Sequence, residues 1–450
     1  MSRREKVIII GIDGLEPAFV ETLKEKGISR GFAYFYENGI VARMRSTFPP
    51  DTVLAWPTIY TGLIHQRFGL EPEPESIFEL QIKSLNVRRK LMGKTFWDIA
   101  SHFGKRVCVV NPIFGYPPWH VNGIMASGPS FGLHGSPLSI PARDDLKGYK
   151  LGTYGKTPLL LHEYKEMYNE ALKQLLDMFK LTTILIDEED YDLVFTADYT
   201  LDRIQHYFWR FDNEDDPCRP KLINPYKGLI ERYYMLIDRL VTYYVERYGD
   251  DYTVVVLGDH GHTGRPARLL SVEKILNVEP RLSTISVLRD IAYLLAFYSH
   301  MDAYAYKVIR YLQSIGKLRR ILLGNEKNFE ADGGMIKTLK QFGLKEYVGI
   351  RFCGEKKGYK GRSVSELLTR VLSDLDMVDF IMTPKEYYGV EDVEYEADLY
   401  LKLKGFGNYP EANSLLAHPL HRSGSHLVAY SLLGGQRQAQ LPFPMELKDI

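Results

Sequence analysis

Three apolar runs in this chain end by releasing acids, and two of them release histidines as well. KVIIIGIDG (6–14) ends on Asp13, DLVFTADYTLDRIQH (192–206) leads to Asp202 and His206, and YTVVVLGDHG (252–261) ends on Asp259 and His260. Carboxylate and imidazole donors suit two divalent cations, with zinc favoured by the histidines and manganese compatible. Cations about 3.5–4 Å apart steady the attacking and leaving oxygens of a phosphoryl displacement and can deprotonate a hydroxyl nucleophile. STFPPDTVLAWPTIYTG (46–62) offers that hydroxyl: Thr52 follows two prolines and Asp51, just before a stretch that can turn helical. A helix N-terminus there would present N–H groups and a positive dipole end to an anion. Each signal alone has a plainer reading. IDG and DHG are ordinary turns, Thr52 is an N-cap, and Asp202 with His206 is an exposed i,i+4 pair.

These residues gain force from the elements that must carry them. KVIIIGI (6–12), RVCVVN (106–111), DLVFTA (192–197), YTVVVLG (252–258) and HLVAYSLL (426–433) are short, β-branched and apolar on both faces. Such runs suit central strands covered on both sides. Helical patterns at 161–186 and 229–248 alternate with them, which reads as an α/β fold with a doubly wound, mostly parallel central sheet and helices on both faces. Ligands of such sheets lie beyond the carboxyl ends of the strands. Those are the ends that carry Asp13, Asp202 and Asp259. On a helix Asp202 and His206 share one face.

Composition narrows the function classes. Lys+Arg and Asp+Glu both total 57 in 450 residues, so no basic excess supports nucleic-acid binding. A hydrophobic content of 45% excludes wholesale disorder. Three cysteines, Cys108, Cys218 and Cys353, build neither a disulfide framework nor a zinc ribbon. The N-terminal apolar run is too short for a signal peptide, and no stretch reaches the ~20 apolar residues of a membrane span. The expectation is a cytoplasmic protein without membrane attachment, its oligomeric state open. The helical, Tyr- and Leu-rich segment 276–346 reads as an inserted cap, between core segments 1–275 and 347–450. The glycine- and lysine-rich CGEKKGYKGR (353–362) lacks Walker spacing and reads as a solvated loop.

The ordered set GIDG, FPPDTVLAWPTIYTG, TLDRIQHYFW and VLGDHG resembles the alkaline phosphatase superfamily. It is most similar to the type I phosphodiesterase/nucleotide pyrophosphatase branch and the neighbouring phosphohydrolase/phosphomutase group. NPIFGYPPWHVNGIMASG (111–128), YEADLYLKLKGFG (395–407) and HRSGSHLVAYSLLGG (421–435) resemble that group too. The resemblance implies that Thr52 is the nucleophile and a ligand of one metal, together with Asp13, Asp259 and His260. It implies that Asp202 and His206 hold the other metal with a late histidine. His421 takes that place, with His426 and His418 as competitors, because Gly424 stands one residue earlier than the family's glycine. Leu54 stands where a proline is frequent, which leaves the nucleophile intact.

The resemblance implies a two-metal phosphoester hydrolase, zinc- or manganese-dependent, acting on a small phosphoester or nucleotide through a phosphothreonine. Two alternatives stand beside it. A phosphomutase or phosphomonoesterase of the same superfamily is one, although the mutases generally use serine. The other is a metal-stabilised binding protein without catalysis, against which the complete ligand set speaks.

Overall fold

The computed structural model describes residues 6–70, 77–130, 133–152, 161–214, 219–220, 223–263, 268–270, 336–338, 346–352, 378–404, 406–408, 424–426 and 428–434, and positions 158 and 369. Its strands in chain order are β1 (Lys6–Ile12), β2 (Gly39–Arg45), β3 (Val107–Val110), β4 (Gly123–Ser127), β5 (Leu138–Ile140), β6 (Leu193–Asp198), β7 (Tyr252–Leu257) and β8 (Gly261–Thr263). Then come β9 (Arg268–Leu270), β10 (Ile336–Thr338), β11 (Tyr347–Phe352), β12 (Val378–Met382), β13 (Leu399–Leu403), β14 (Phe406–Asn408), β15 (Gly424–His426) and β16 (Val428–Gly434). The helices that flank the large sheet are α1 (Pro17–Glu25), α2 (Gly31–Asn38), α3 (Thr52–Thr61), α4 (Ile77–Leu91), α5 (Phe96–His102), α6 (Glu163–Glu188), α7 (Thr200–Asp212) and α8 (Leu229–Tyr248).

Eight strands form the large sheet in the order β2-β16-β7-β1-β6-β3-β4-β5. The five from β7 to β4 run parallel, while β16, β2 and β5 are antiparallel to their neighbours. Alternation along each strand sorts its side chains onto two faces. Ile8, Ile10, Cys108, Val110 and Val194 join one core, packed with α1, α2, α6, α7 and α8. Val107, Val109, Phe195 and Ala197 join the other, packed with α3, α4 and α5. Two covered faces are why these runs are apolar on both sides. The doubly wound, mostly parallel sheet expected from the sequence is therefore present, and helix α8 spans the expected 229–248. No helix of the described residues is long and apolar enough to cross a membrane.

A second, antiparallel sheet has the order β10-β11-β13-β12. The segment at 347–352, read as a return to the core, enters this sheet and not the large one; the chain rejoins the large sheet at β16. The inserted cap expected at 276–346 and the loop 353–362 lie outside the described residues, apart from β10 and position 346. The second sheet bears on the segment that leads to Thr52. Phe48 stacks on Tyr400 with ring centroids 4.1 Å apart and meets Tyr347 and Tyr387 edge-on. The Phe48 N–H donates to Tyr388 Oη at 2.8 Å, and Tyr387 Oη donates to the Ser46 carbonyl at 2.8 Å.

Candidate metal centre and nucleophile

Strands β7, β1 and β6 lie side by side and parallel, so their carboxyl ends open on one edge. Asp13 follows β1 directly, Asp259 and His260 follow β7 after Gly258, and Asp202 and His206 sit in α7 just beyond β6. The turn after β1 needs Gly14. Its φ is +72°, and a Cβ there would lie 2.9 Å from the Cβ of Asp202. The Gly14 N–H donates to Asp259 Oδ1 at 3.2 Å, and Ser46 Oγ donates to the Asp259 carbonyl at 2.7 Å.

Thr52 is the first residue of α3, not its cap. Asp51 is the cap: its side chain accepts from Val53 N–H, and its carbonyl accepts from Leu54 and Ala55. The helix N-terminus is thus a poorer anion site than its position suggests, since Asp51 takes those donors and adds a negative charge. Of that turn, the N–H of Thr52 is the one Asp51 does not take. The Thr52 side chain is freed for other contacts.

Its hydroxyl lies 3.1 Å from His260 Nε2 and 3.4 Å from Asp13 Oδ1. His260 Nε2 is in turn 3.5 Å from Asp13 Oδ1 and 3.4 Å from Asp259 Oδ2. Thr52, Asp13 and His260 therefore meet at one point, and Asp259 approaches it at the His260 nitrogen. His260 Nδ1 donates to the Gly261 carbonyl at 2.9 Å, which fixes the tautomer and turns the Nε2 lone pair toward that point. Asp259 Oδ2 is buried with no hydrogen-bond partner among the described residues. A buried carboxylate oxygen left in this state fits a cation.

The second cluster is Asp202, His206 and His262, whose ligating atoms lie within 4.8 Å of one another. His206 Nε2 is 3.0 Å from Asp202 Oδ2, and His262 Nδ1 is 3.2 Å from Asp202 Oδ1. His206 Nδ1 is buried without a partner among the described residues. Asp202 also groups with Asp13 and His260 within the same distance, so one carboxylate reaches both clusters.

The electrostatics suit cations. Burial pushes the Asp13 carboxyl well above its ordinary range, and the charges of Asp259 and Asp202 push it further. Burial likewise raises Asp259 to about 6, against the opposing influence of His260. Burial works against the Asp202 carboxylate too, but the charge and hydrogen bond of His206, with help from His262 and His260, hold it well below the ordinary range. His262 is lowered to about 4 by burial, which keeps the imidazole neutral and able to ligate.

Six of the sequence-derived site residues, Asp13, Thr52, Asp202, His206, Asp259 and His260, gather at this edge. His421 and its competitor His418 lie outside the described residues. Position 426 lies in β15, in register opposite Gly261 of β8. The residue that sequence reading passed over is His262, two places after His260 and on β8. The available signal was the second histidine of GDHGHTG.

Acids and histidines collected at the carboxyl edge of a parallel sheet make an α/β site that suits divalent cations, the kind of site that can serve phosphoryl transfer. The family model of type I phosphodiesterase/nucleotide pyrophosphatase matches residues 7–314, and the chain belongs to that family, which places it among the phosphoester hydrolases. No curated protein matches it. Among solved structures it is similar to phosphonoacetate hydrolase from Sinorhizobium meliloti 1021, with 14% identity, 99% of this chain and 94% of that chain covered, and a TM-score of 0.49. It is also similar to the murine and human ectonucleotide pyrophosphatase/phosphodiesterase 5. Both show 10% identity over 96% of this chain and 88% of theirs, at a TM-score of 0.46.

Proposed function

We propose that this chain is a two-metal phosphodiesterase or nucleotide pyrophosphatase that works through a phosphothreonine at Thr52. The observation that carries the reading is the mutual approach of Thr52 Oγ1, Asp13 Oδ1 and His260 Nε2 at 3.1–3.5 Å, with Asp259 Oδ2 3.4 Å from the same His260 nitrogen. Asp13, Asp259, His260 and Thr52 hold one cation. Asp202, His206 and a third histidine hold the other; the grouping of His262 with Asp202 and His206 within 4.8 Å supports it for that role. Zinc and manganese both suit this donor set.

Bound cations supply Lewis acidity, which lowers the pKa of a hydroxyl or water and offsets charge on phosphoryl oxygens. The protein's part is orientation. Asp51 fixes the first turn of α3, and the aromatic grip on Phe48 fixes the approach to it, so the Thr52 hydroxyl is aimed before substrate arrives. Thr52 Oγ1, losing its proton, then forms a bond to phosphorus as the in-line bond to the departing oxygen breaks. That oxygen leaves on an alcohol from a diester or on a phosphate from a pyrophosphate, taking up a proton where its basicity requires one. Attack by water releases the phosphoryl group from Thr52. A phosphomutase would pass it to a second hydroxyl, and the threonine counts against that.

The test is elemental analysis after metal-free purification and reconstitution, with turnover of bis-p-nitrophenyl phosphate measured in parallel. About two equivalents of metal per active chain are expected. Active protein with one equivalent or none rules the two-metal reading out.

A further inference from the structure

We propose that Trp56 is a positioning residue for the first cation, its indole N–H holding the Asp13 carboxylate with one oxygen turned toward Thr52 and His260. The proposal rests on the two-metal reading of this site. Trp56 Nε1 donates to Asp13 Oδ2 at 3.0 Å, and both side chains are buried. The other oxygen, Oδ1, faces Thr52 Oγ1 and His260 Nε2. Residues 52 and 56 stand one helical turn apart on α3. The helix that presents the hydroxyl therefore also grips the carboxylate beside it, one oxygen by each residue.

The opposite partner is built for this grip. Gly11 lies on β1 two residues before Asp13, and a Cβ on it would come within 2.6 Å of Trp56 Cη2 and 2.9 Å of Cζ3. Glycine at 11 lets the indole lie against the strand, and aspartate at 13 receives its N–H. The pairing of GID with TVLAW thus has one geometric reason across 43 positions of chain. Burial alone does not account for it. Trp97 is also fully buried, and its Nε1 has no partner among the described residues, so this fold buries an indole without giving it a carboxylate. Hydrogen bonds of this kind, to the non-ligating oxygen of a metal carboxylate, fix the ligand's orientation, and their loss typically weakens metal binding by about 10–100-fold.

Titration of the full-length, metal-free protein with Mn²⁺ tests the proposal, with site affinities read by equilibrium dialysis and calorimetry. Trp56→Phe should weaken one of the two sites by about 10–100-fold and leave the other within a few-fold. Replacing Trp56 site-specifically by β-(3-benzothienyl)alanine keeps the two-ring shape and removes only the N–H. It should show the same loss at one site with thermal stability near that of the parent. Trp97→Phe should leave both affinities unchanged. If the benzothienyl protein binds Mn²⁺ like the parent, Trp56 is packing alone and the proposal is wrong. If both sites weaken equally in both Trp56 variants, the effect is general loosening and the proposal is again wrong. A parent protein that binds no Mn²⁺ overturns the metal reading itself.

Discussion

Thr52 Oγ1 sits 3.1 Å from His260 Nε2, although the two residues are separated by 208 positions. The contact exists because α3 begins at Thr52 and β7 ends just before Asp259, and both ends reach the same edge of the sheet. If the hydroxyl is the attacking group, Thr52→Ala removes the reaction path while leaving Asp13, Asp259 and His260 in place. Turnover should fall by about three orders of magnitude or more, with metal content close to that of the parent. Thr52→Ser should retain measurable turnover. Thr52→Ala activity within about tenfold of the parent would show that water attacks directly.

The pair His262 Nδ1 and Asp202 Oδ1, 3.2 Å apart, sets a competition between histidines. As a ligand, His262 should matter more than either late histidine. His262→Ala should then remove about one equivalent of metal and nearly all activity, whereas His421→Ala and His426→Ala should retain both equivalents. The opposite pattern, with His421→Ala losing one equivalent and His262→Ala keeping two, would restore the late histidine. In that case His262 is a hydrogen-bond partner that orients Asp202.

What the sequence discloses and what it hides divide along a physical line. Strands β1, β3, β6 and β7 are legible because burial on both faces writes an unbroken apolar run. The face shared by Asp202 and His206 is legible because i,i+4 spacing is a local property of a helix. Edge strand β2 is not: GIVARMR is mostly exposed and carries arginines, so no apolar run marks it. The strand at 347–352 looks like a core strand, since a small sheet packed on aromatic rings also demands apolar residues. His262 and Trp56 are hidden for a further reason. Their partners, Asp202 and Asp13, are chosen by tertiary placement, which no spacing within GDHGHTG or TVLAW encodes. The role of Thr52 as N-cap failed for a local reason, because Asp51 next to it is the better cap.

The grip on the segment that leads to Thr52 predicts a stability effect. Tyr388 Oη accepts the Phe48 N–H at 2.8 Å, four residues before Thr52. Tyr388→Phe keeps the ring and leaves that buried donor without its acceptor, a loss of about 1–3 kcal/mol. Denaturant unfolding should show it as a lower midpoint at unchanged slope. A midpoint equal to that of the parent would mean that water or a neighbouring group takes over the Phe48 N–H.

The carboxylate environment predicts a pH dependence for metal uptake. Burial raises Asp259 to about 6 from an ordinary value of 3.8. Between those values the folded, metal-free protein keeps a proton that the unfolded chain has released. The stability this group contributes is therefore full below about 4 and is lost as pH rises through about 6. A ligating carboxylate must be ionised, so metal displaces that proton in the acidic range. Apparent Mn²⁺ affinity should rise with pH up to about 6 through Asp259, and Asp13, shifted in the same direction, should extend the rise. His262, lowered to about 4, is already neutral over most of this range. Calorimetry in two buffers of different ionisation enthalpy reads the released protons directly. Affinity that is flat between pH 5 and 7, with no proton release, would contradict the shift.

Substrate charge gives the sharpest division between diester and monoester. Near neutral pH a phosphate monoester carries close to two negative charges and a diester one. The two divalent cations proposed would be offset by Asp13, Asp202 and Asp259, whose ion-pair partners among the described residues are all histidines. Monoester sites commonly add a cation or a bidentate arginine to hold the extra charge. Arg45, the arginine nearest before Thr52 in sequence, is engaged elsewhere. Its Nη1 donates to the Tyr387 carbonyl at 2.9 Å, and its guanidinium lies 4.9 Å from the Tyr387 ring centre. Arg67 is exposed on the turn after α3. On the two-metal reading, neither arginine supplies the extra charge a dianion would need. At equal pH and metal, kcat/KM should be higher for bis-p-nitrophenyl phosphate than for p-nitrophenyl phosphate. The two share a leaving group, so the ratio reports on the charge and the second ester group and not on the ease of departure. A preference for the monoester would refute the phosphodiesterase reading. It would also direct mutagenesis first to Arg67 and to the lysines of 353–362.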